Sequence, residues 1–329
     1  MDPITITPIA GALGAEIDGV DISKGLDRET VQALRQALLD HLVIFFRDQD
    51  LTPDSYLAFA NEFGTPTEYP LMKGIEGYPF IQKIEKLPSQ RWNFAGTWHS
   101  DTTYLDCPPS ATLLQAVELP PFGGDTMYAN QYLAYETLSE PLRHFVDGLT
   151  AVHISTKSVH SKTLEDTIRA SRGNQSHAYV AQHPAVRTHP ETGRKSLYID
   201  FAHTSHFEGM TEEESAPILE YLFQHQVRPE FTCRFAWRKG SVALWDNRCT
   251  LHVPPHAARV EPRADEAFGF AADVPRDPGR VDVGGIDHPT ACFVERVEHR
   301  EAVVAVGGPA EHVAAEDQRD AGDGRMISH

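Results

Sequence analysis

The sequence predicts an α+β fold, because helical and strand patterns occur side by side along the chain. Residues 28–41 place apolar side chains at helical spacing and predict an amphipathic helix, while the apolar run 42–47 is typical of a buried strand. Further strands are predicted at 231–237 and 242–246, separated by a turn at Lys239-Gly240. A mixture of this kind indicates helices packed on a core of strands.

Two helix starts carry capping signals. Thr52 precedes Pro53, and this pair suits the N-cap and the first helical position. Thr211 and Glu214 have the spacing of a capping box, and the apolar residues 218–223 follow them. We therefore expect one helix to begin after Thr52 and another after Thr211.

Length and composition predict one large domain with no membrane segment. The 329 residues can bury a substantial core, and no apolar run is long enough to span a bilayer. The net charge of -18 argues against nucleic acid or an anionic membrane as a partner. The N-terminus lacks a signal-peptide pattern, and the four cysteines are scattered without a Cys-x-x-Cys pair. We therefore expect a cytoplasmic, reducing location and neither a zinc knuckle nor a disulfide framework.

The chemical signal lies in two distant segments, Trp98–Asp101 and Trp245–His252. On a strand, residues i and i+2 share a face, so His99 and Asp101 can bind one ion, and His252 can join them from a neighbouring strand. Two histidines and one carboxylate, with the other positions open, form the facial triad of non-haem Fe(II) oxygenases. A His-x-Asp pair alone is weak evidence, because 17 histidines give about one such pair by chance. A polar loop or a hydrogen-bonded core pair is the alternative.

A series of short motifs runs in order from the N-terminus to His252. They are Ile4–Pro8, Gly14–Ile17, Val43–Gln49, Trp98–Asp101, Pro108-Pro109, Gly123–Thr126, Ala134–Leu138, Val186–Pro190 and Trp245–His252. In order and spacing they resemble the taurine/2,4-dichlorophenoxyacetate dioxygenase family of Fe(II)- and 2-oxoglutarate-dependent oxygenases. The resemblance implies a double-stranded β-helix (jelly-roll) core within residues 1–270, with flanking helices and a large insert between the metal-binding strands.

The resemblance also implies a reaction. His99, Asp101 and His252 match the family's Fe(II) ligands, and 2-oxoglutarate and O₂ are the expected cosubstrates. Decarboxylation of 2-oxoglutarate to succinate and CO₂ supplies the oxidant that hydroxylates a substrate C–H, while the protein orients the reactants. The implied substrate is a small organic acid: a sulfonate, a sulfate ester, or an aryloxy or other carboxylate. Relatives commonly form dimers or tetramers, so a homo-oligomer is expected.

Three further site residues follow from the same resemblance. Thr126 matches the threonine that helps to hold the 2-oxoglutarate carboxylate, with a turn residue after Gly123-Gly124 as the alternative. Arg263, eleven residues after His252, matches the arginine that binds the distal carboxylate. Tyr69 belongs to the segment that reaches the substrate in relatives, with core packing as the alternative.

Other polar and aromatic residues have less specific interpretations. The segment 155–182 is rich in Ser, His and Thr, and is either a mobile lid or an ordinary surface excursion. His189 and His206 are expected to be solvated or locally hydrogen-bonded. Trp98 and Trp245 flank the candidate ligands and are expected to pack in the core.

The C-terminal part of the chain departs from the family pattern. From Val253 onward there is no Leu, Tyr, Trp, Lys or Asn, although Leu and Lys are common in globular proteins. Residues 271–329 are therefore interpreted as an atypical acidic tail, either naturally disordered or encoded out of frame. The altered tail supports one alternative to an active oxygenase, a degenerate member with weak metal binding and little turnover. A second alternative is a non-catalytic sugar- or ligand-binding jelly roll in which the His/Asp set is incidental.

Overall fold

The computed structural model describes residues 3–86, 96–157 and 178–254, together with the backbone of residues 299–307. The strands are β1 (Thr5–Pro8), β2 (Ala15–Asp18), β3 (Val43–Phe46), β4 (Thr65–Thr67), β5 (Gln82–Lys86), β6 (Ala111–Glu118), β7 (Thr126–Asn130), β8 (Thr150–Ile154), β9 (Val180–Pro184), β10 (Val186–Thr188), β11 (Lys195–Leu197), β12 (Thr204–Phe207), β13 (Thr232–Phe235), β14 (Val242–Asp246), β15 (Thr250–Val253) and β16 (His299–Gly307). The helices are α1 (Arg28–His41), α2 (Pro53–Asn61), α3 (Gln131–Glu136), α4 (Glu140–Asp147) and α5 (Glu212–His225), with a 3₁₀ turn at Pro229–Phe231.

The largest sheet runs in the order β1-β2-β3-β14-β6-β16-β4, and β5 also pairs with β16. All its described pairs are antiparallel except β2 with β3, which are parallel. The central strands β3 and β14 are buried on both faces, so their sequences are continuous apolar runs rather than alternating ones. This sheet therefore needs a covering layer on each side.

Helices cover one face of the large sheet. Ile44 and Phe46 of β3 pack in a cluster with Leu34 and Leu38 of α1 and with Phe59 of α2. Because helical positions four apart lie on the same side, α1 presents its buried stripe to the sheet.

A three-stranded sheet in the order β13-β7-β15 covers the other face. Phe45 of β3 stacks on Phe235 of β13 with ring centroids 3.9 Å apart, and Trp245 of β14 lies 5.6 Å from Tyr128 of β7. The strand core predicted from the sequence is thus confirmed as two facing sheets, and β15 carries His252 on the smaller one.

The large insert predicted between the metal-binding segments is also present. Between β7 and β13 the chain forms α3, α4, β8 to β12 and α5, and most of these elements contribute to a separate apolar cluster. Its members include Leu138, Val146, Leu197, Phe207 and Leu222. The insert thus has a core of its own, and along the chain it begins after β7 and ends before β13.

The predicted local elements are confirmed with small changes at their ends. The helix predicted at 28–41 has these same bounds, and the Thr52 and Thr211 side chains accept hydrogen bonds from Ser55 and Glu214 as N-caps. The strand predicted at 242–246 is β14 with these same bounds, whereas the strand predicted at 231–237 is the shorter β13; the two strands belong to different sheets. Gly240 lies in the turn between them with φ +77°, a conformation that favours glycine.

The segment assigned to an atypical tail contains a strand that the sequence analysis did not predict. β16 pairs with β6 from Val306 opposite Ala111 to Arg300 opposite Glu118, and it also pairs with β4 and β5. The domain boundary at residue 270 stays a prediction, because residues 255–298 lie outside the described part. The sequence signal that could have found β16 is the short run Ala302–Val306, which contains only Ala and Val.

No helix among the described residues is long and apolar enough to cross a membrane. Three of the four cysteines lie in the described part, and all three are free: Cys107 is exposed, while Cys233 and Cys249 are buried.

Candidate metal centre

Two histidines that are far apart in sequence are held together by their own main chains. His99 forms an isolated antiparallel bridge with His252 of β15. The His99 amide donates to the His252 carbonyl at 3.1 Å, and the His252 amide donates to the His99 carbonyl at 2.8 Å. Their ring centroids lie 4.1 Å apart, so backbone hydrogen bonds hold the two imidazoles side by side.

Asp101 completes the group. Its Oδ1 lies 3.7 Å from Nε2 of His99 and 3.6 Å from Nε2 of His252. These separations exceed hydrogen-bond lengths, and the potential ligand atoms of the three residues all lie within 4.8 Å of one another. The structure therefore brings the predicted trio together, with one carboxylate oxygen facing both imidazoles.

Burial sets the protonation state of both imidazoles. Desolvation lowers the pKa of His99, and desolvation together with the nearby His99 lowers the pKa of His252 to about 3. Nδ1 of His99 lies 2.7 Å from the Thr97 carbonyl oxygen, which can only accept, so Nδ1 carries the hydrogen and Nε2 is bare. A neutral imidazole with a bare nitrogen is the form that binds a metal.

Thr126 shares a face with His252 on the smaller sheet. His252 pairs with Tyr128 across the β7–β15 ladder, and Thr126 precedes Tyr128 by two residues, so all three side chains lie on one face. Thr126 is buried in a strand rather than placed in a turn, and its Oγ1 accepts a 3.0 Å hydrogen bond from Nε1 of Trp237. Because an indole N–H can only donate, the hydroxyl hydrogen of Thr126 is left for another acceptor.

Tyr69 belongs to an aromatic wall beside the centre, formed by Tyr69, Tyr104 and His203. The two tyrosine hydroxyls are 3.5 Å apart, the Tyr104 ring lies 5.0 Å from that of His203, and the His203 ring lies 6.2 Å from that of His99. Desolvation raises the pKa of Tyr69 to about 12 and that of Tyr104 well above its usual value. Both phenols therefore stay neutral at physiological pH, and the Tyr104 hydroxyl donates to that of Tyr69.

A buried charged cluster behind the aromatic wall was not predicted from the sequence. Asp200 is fully buried, and it accepts hydrogen bonds from the Thr103 hydroxyl at 3.0 Å and from the His203 amide at 2.8 Å. Burial alone raises the pKa of Asp200, but His203 and His153 more than offset this and hold the pKa well below its usual range. No local motif marks the cluster, because its members come from three segments that are distant in sequence.

Comparisons with known proteins decide the family. Residues 5–255 match the family model described as "Taurine catabolism dioxygenase TauD, TfdA family". The chain belongs to the TauD/TfdA family.

Individual members of the TauD/TfdA family agree over most of the chain. The alpha-ketoglutarate-dependent sulfate ester dioxygenase of Pseudomonas putida is 36% identical over 277 residues, which are 83% of this chain and 91% of that protein. An alkylsulfatase of Acinetobacter baylyi is 36% identical over 76% of this chain and 79% of its own length. The crystal structure of a taurine dioxygenase from Burkholderia xenovorans is 35% identical and superimposes with a TM-score of 0.69, covering 93% of this chain and 89% of that chain.

Two of the predictions made from the sequence concern residues outside the described part of the chain. Arg263 is one of them, and residues 158–177 of the predicted lid at 155–182 are the other. Of the flanking tryptophans, Trp245 is buried in the core as expected, whereas Trp98 is only half-buried. His206 is half-buried, with Nδ1 3.1 Å from the hydroxyl of its neighbour Ser205, in agreement with a local hydrogen bond.

His189 is buried in a second cluster of potential ligand atoms, and of the two predicted alternatives, solvated or locally hydrogen-bonded, the structure shows the second. Its Nε2 lies 3.0 Å from Oδ2 of Asp246, and its Nδ1 accepts a local hydrogen bond from the Glu191 amide. Arg248 already binds both oxygens of Asp246, and burial holds the pKa of the Cys249 thiol well above its usual value. A carboxylate whose two oxygens are already paired with arginine and a protonated thiol are poor metal ligands, so this cluster is a weaker candidate for a metal site than the trio.

Proposed function

We propose that this chain is an Fe(II)- and 2-oxoglutarate-dependent dioxygenase that hydroxylates a small organic acid and releases succinate and CO₂. One observation carries the proposal: Oδ1 of Asp101 faces Nε2 of both His99 and His252 at 3.6–3.7 Å. Imidazole and carboxylate suit Fe(II), and three protein ligands leave other coordination positions for the cosubstrate and O₂. When bound, the metal supplies the activation of O₂ that accompanies decarboxylation of 2-oxoglutarate.

The residues around His99, Asp101 and His252 have separate roles in this proposal. Thr126 donates its hydroxyl hydrogen to a carboxylate of 2-oxoglutarate, since its oxygen already accepts a hydrogen bond from Trp237. Arg263 is assigned to the distal carboxylate by the family resemblance. Tyr69 is assigned to substrate contact by the family resemblance, and the rings of Tyr69 and Tyr104 exclude water from the reacting carbon.

A sulfate ester is the proposed substrate, with sulfonates and aryloxy carboxylates as the competing classes. Support comes from the two relatives at 36% identity, one of them named a sulfate ester dioxygenase and the other an alkylsulfatase. Hydroxylation of the carbon that carries the ester oxygen converts its C–H bond to C–O–H. The resulting hemiacetal-type product breaks its C–O bond to sulfate and leaves an aldehyde.

The proposal includes the architecture and the setting of the enzyme. The two facing sheets are taken as the double-stranded β-helix of the family. The three free cysteines of the described part suit a cytoplasmic, reducing compartment. A homo-oligomer that binds neither nucleic acid nor membrane remains the expected assembly, on the strength of the resemblance and of the net charge of -18.

The first test is spectroscopic. Anaerobic addition of Fe(II) and 2-oxoglutarate to the purified chain should produce a visible metal-to-ligand charge-transfer band. The band should disappear in His99→Ala and persist in His206→Ala, a matched control whose described contact is with Ser205. Absence of the band from folded wild-type protein would contradict the proposal and favour a degenerate member.

The second test identifies the substrate. A medium-chain alkyl sulfate, taurine and phenoxyacetate are each supplied with O₂, and succinate, sulfate and sulfite are measured. We expect succinate and sulfate in equal amounts from the alkyl sulfate. Faster turnover of taurine or phenoxyacetate would reject the sulfate ester, and a charge-transfer band without turnover of any of the three would reject all three substrate classes.

A further inference from the structure

The two carboxylate oxygens of Asp101 have different surroundings. Oδ1 faces Nε2 of both His99 and His252, whereas Oδ2 accepts a hydrogen bond of 2.6 Å from the hydroxyl of Thr112. A short hydrogen bond to an ionised acceptor is among the stronger ones in proteins. One oxygen is therefore directed at the candidate metal position, and the other is held away from it.

The hydroxyl of Thr112 is oriented by a chain of buried groups. Nδ2 of Asn247 donates to Oγ1 of Thr112 at 2.8 Å, and Nε1 of Trp245 donates to Oδ1 of Asn247 at 2.9 Å. The indole nitrogen can only donate, so it fixes which end of the Asn247 amide accepts. The amide nitrogen must then donate to Thr112, and the Thr112 hydrogen is directed to Asp101.

The scaffold around this chain leaves little freedom for rearrangement. Trp245 and Thr112 are direct cross-strand partners of β14 and β6, and the side chains of Trp245, Thr112 and Asn247 are all buried. The main chain of Asn247 is anchored as well, because its amide donates to the Ser110 carbonyl and its carbonyl accepts from the Ser100 hydroxyl. Ser100 lies between the two candidate ligands of the His99–Asp101 segment, so the same residue, Asn247, orients both the carboxylate and the segment that carries it.

We infer that Thr112 and Asn247 are positioning residues that make Asp101 a monodentate ligand through Oδ1. The inference rests on the proposed metal site, and it assigns a function to residues outside the ligand trio. The hydrogen-bond series from Trp245 through Asn247 and Thr112 occupies Oδ2. It thereby prevents the carboxylate from taking a second coordination position, which the cosubstrate and O₂ need. Hydrogen bonds to ligating carboxylates orient the ligand and contribute to metal affinity.

Removal of the Thr112 hydroxyl without loss of volume tests the inference. We expect Thr112→Val to lower the affinity for Mn(II), measured by electron paramagnetic resonance titration of the apoprotein, by about 10- to 100-fold. Thr112→Ser, which keeps the hydroxyl donor, should bind Mn(II) with nearly the wild-type affinity. Ser215→Ala is the control, because it removes a buried hydroxyl that accepts from the Phe207 amide in the apolar cluster of the insert.

A structural readout covers the case in which Thr112→Val does not fold. In a crystal structure of the Mn(II)-loaded wild type, Oδ1 of Asp101 should be the carboxylate ligand and Oδ2 should stay within hydrogen-bond distance of Thr112. A bidentate Asp101, or folded Thr112→Val that binds Mn(II) as tightly as the wild type, would overturn the inference while leaving the proposed function intact. A wild-type protein that binds no Mn(II) at the trio would overturn both.

Discussion

At the scale of single residues, donor-only indoles orient hydroxyl groups that lie near the candidate centre. Trp245 directs the Thr112 hydroxyl through Asn247, and Trp237 occupies the acceptor side of Thr126. An indole cannot reverse its hydrogen bond, so each hydroxyl has one direction in which to donate. Local hydrogen bonding thus prepares the site for an anionic ligand before any ligand binds.

The first prediction concerns Trp237. Trp237→Phe keeps an aromatic ring but loses the N–H that fixes the Thr126 hydroxyl, so that hydroxyl can turn. The affinity for 2-oxoglutarate should then fall about fivefold, as expected for the loss of one hydrogen bond of about 1 kcal/mol. Titration of the charge-transfer band with 2-oxoglutarate measures the dissociation constant. Thr126→Val should have the larger effect and Thr126→Ser a small one; an unchanged constant in both Trp237→Phe and Thr126→Val would remove Thr126 from the cosubstrate site.

The second prediction concerns pH. Burial, with the nearby His153 and Arg187, lowers the pKa of His183 to about 4, and its Nε2 bonds to the Leu105 carbonyl at 2.9 Å. The unfolded chain takes up this proton near pH 6.5 while the folded chain does not, so stability is full above that pH and falls as the pH drops towards 4. Between pH 7 and pH 5 this one group should account for about 2 kcal/mol of lost unfolding free energy. Urea denaturation at the two pH values measures the loss of unfolding free energy. This loss should be smaller in His183→Gln than in the wild type. An equal loss in the variant would show that His183 is not the group responsible.

At the scale of elements, the sequence predicted best where structure depends on neighbours along the chain. The caps at Thr52 and Thr211 were predictable, because a side-chain oxygen and an amide three residues on suffice to make them. The pairing of Thr112 with Trp245 was not, because it depends on the register between β6 and β14. The proximity of His99, Asp101 and His252 was predicted through ordered motifs, whereas Asp200 and its histidines have no motif that could reveal them.

The third prediction compares two helix N-caps. The Thr211 hydroxyl accepts from the Glu214 amide, and Glu214 in turn accepts from the Thr211 amide, whereas the N-cap Ser139 of α4 makes no side-chain capping bond. We expect Thr211→Ala to lower the unfolding free energy by about 1 kcal/mol and Ser139→Ala to change it far less. Thermal denaturation of both variants gives the comparison. Equal losses would show that the geometry of the cap does not set its contribution.

At the scale of the whole molecule, the large sheet depends on a strand from the far end of the chain. β16 lies between β6 and the two short strands β4 and β5, so it joins them to the rest of the sheet. The sequence analysis missed this role, since the unusual composition of the C-terminal segment suggested a tail without structure. Strand pairing depends on backbone hydrogen bonds, which a sequence of Ala and Val supplies as well as any other.

The fourth prediction follows from that position. A chain truncated to residues 1–298 loses β16, which leaves the edge of β6 unpaired and exposed, so we expect aggregation and a lower melting temperature. A chain of residues 1–307 keeps the strand and should behave as the full chain does. Gel filtration and thermal denaturation of the two truncated proteins distinguish these outcomes. Equal behaviour of both would show that β16 contributes nothing to the fold.

The backbone bridge between His99 and His252 has a consequence for metal selection. Because main-chain hydrogen bonds fix the spacing of the imidazoles, we expect the proposed metal to bind without a folding step, so that the site cannot exclude an ion by failing to fold around it. Affinity then follows the general order for divalent ions, in which Co²⁺, Ni²⁺, Cu²⁺ and Zn²⁺ all exceed Fe²⁺. If the trio binds a metal as proposed, we therefore expect the supply of ions, rather than intrinsic affinity, to decide which ion fills the site, and we expect traces of zinc to compete with Fe²⁺ for it.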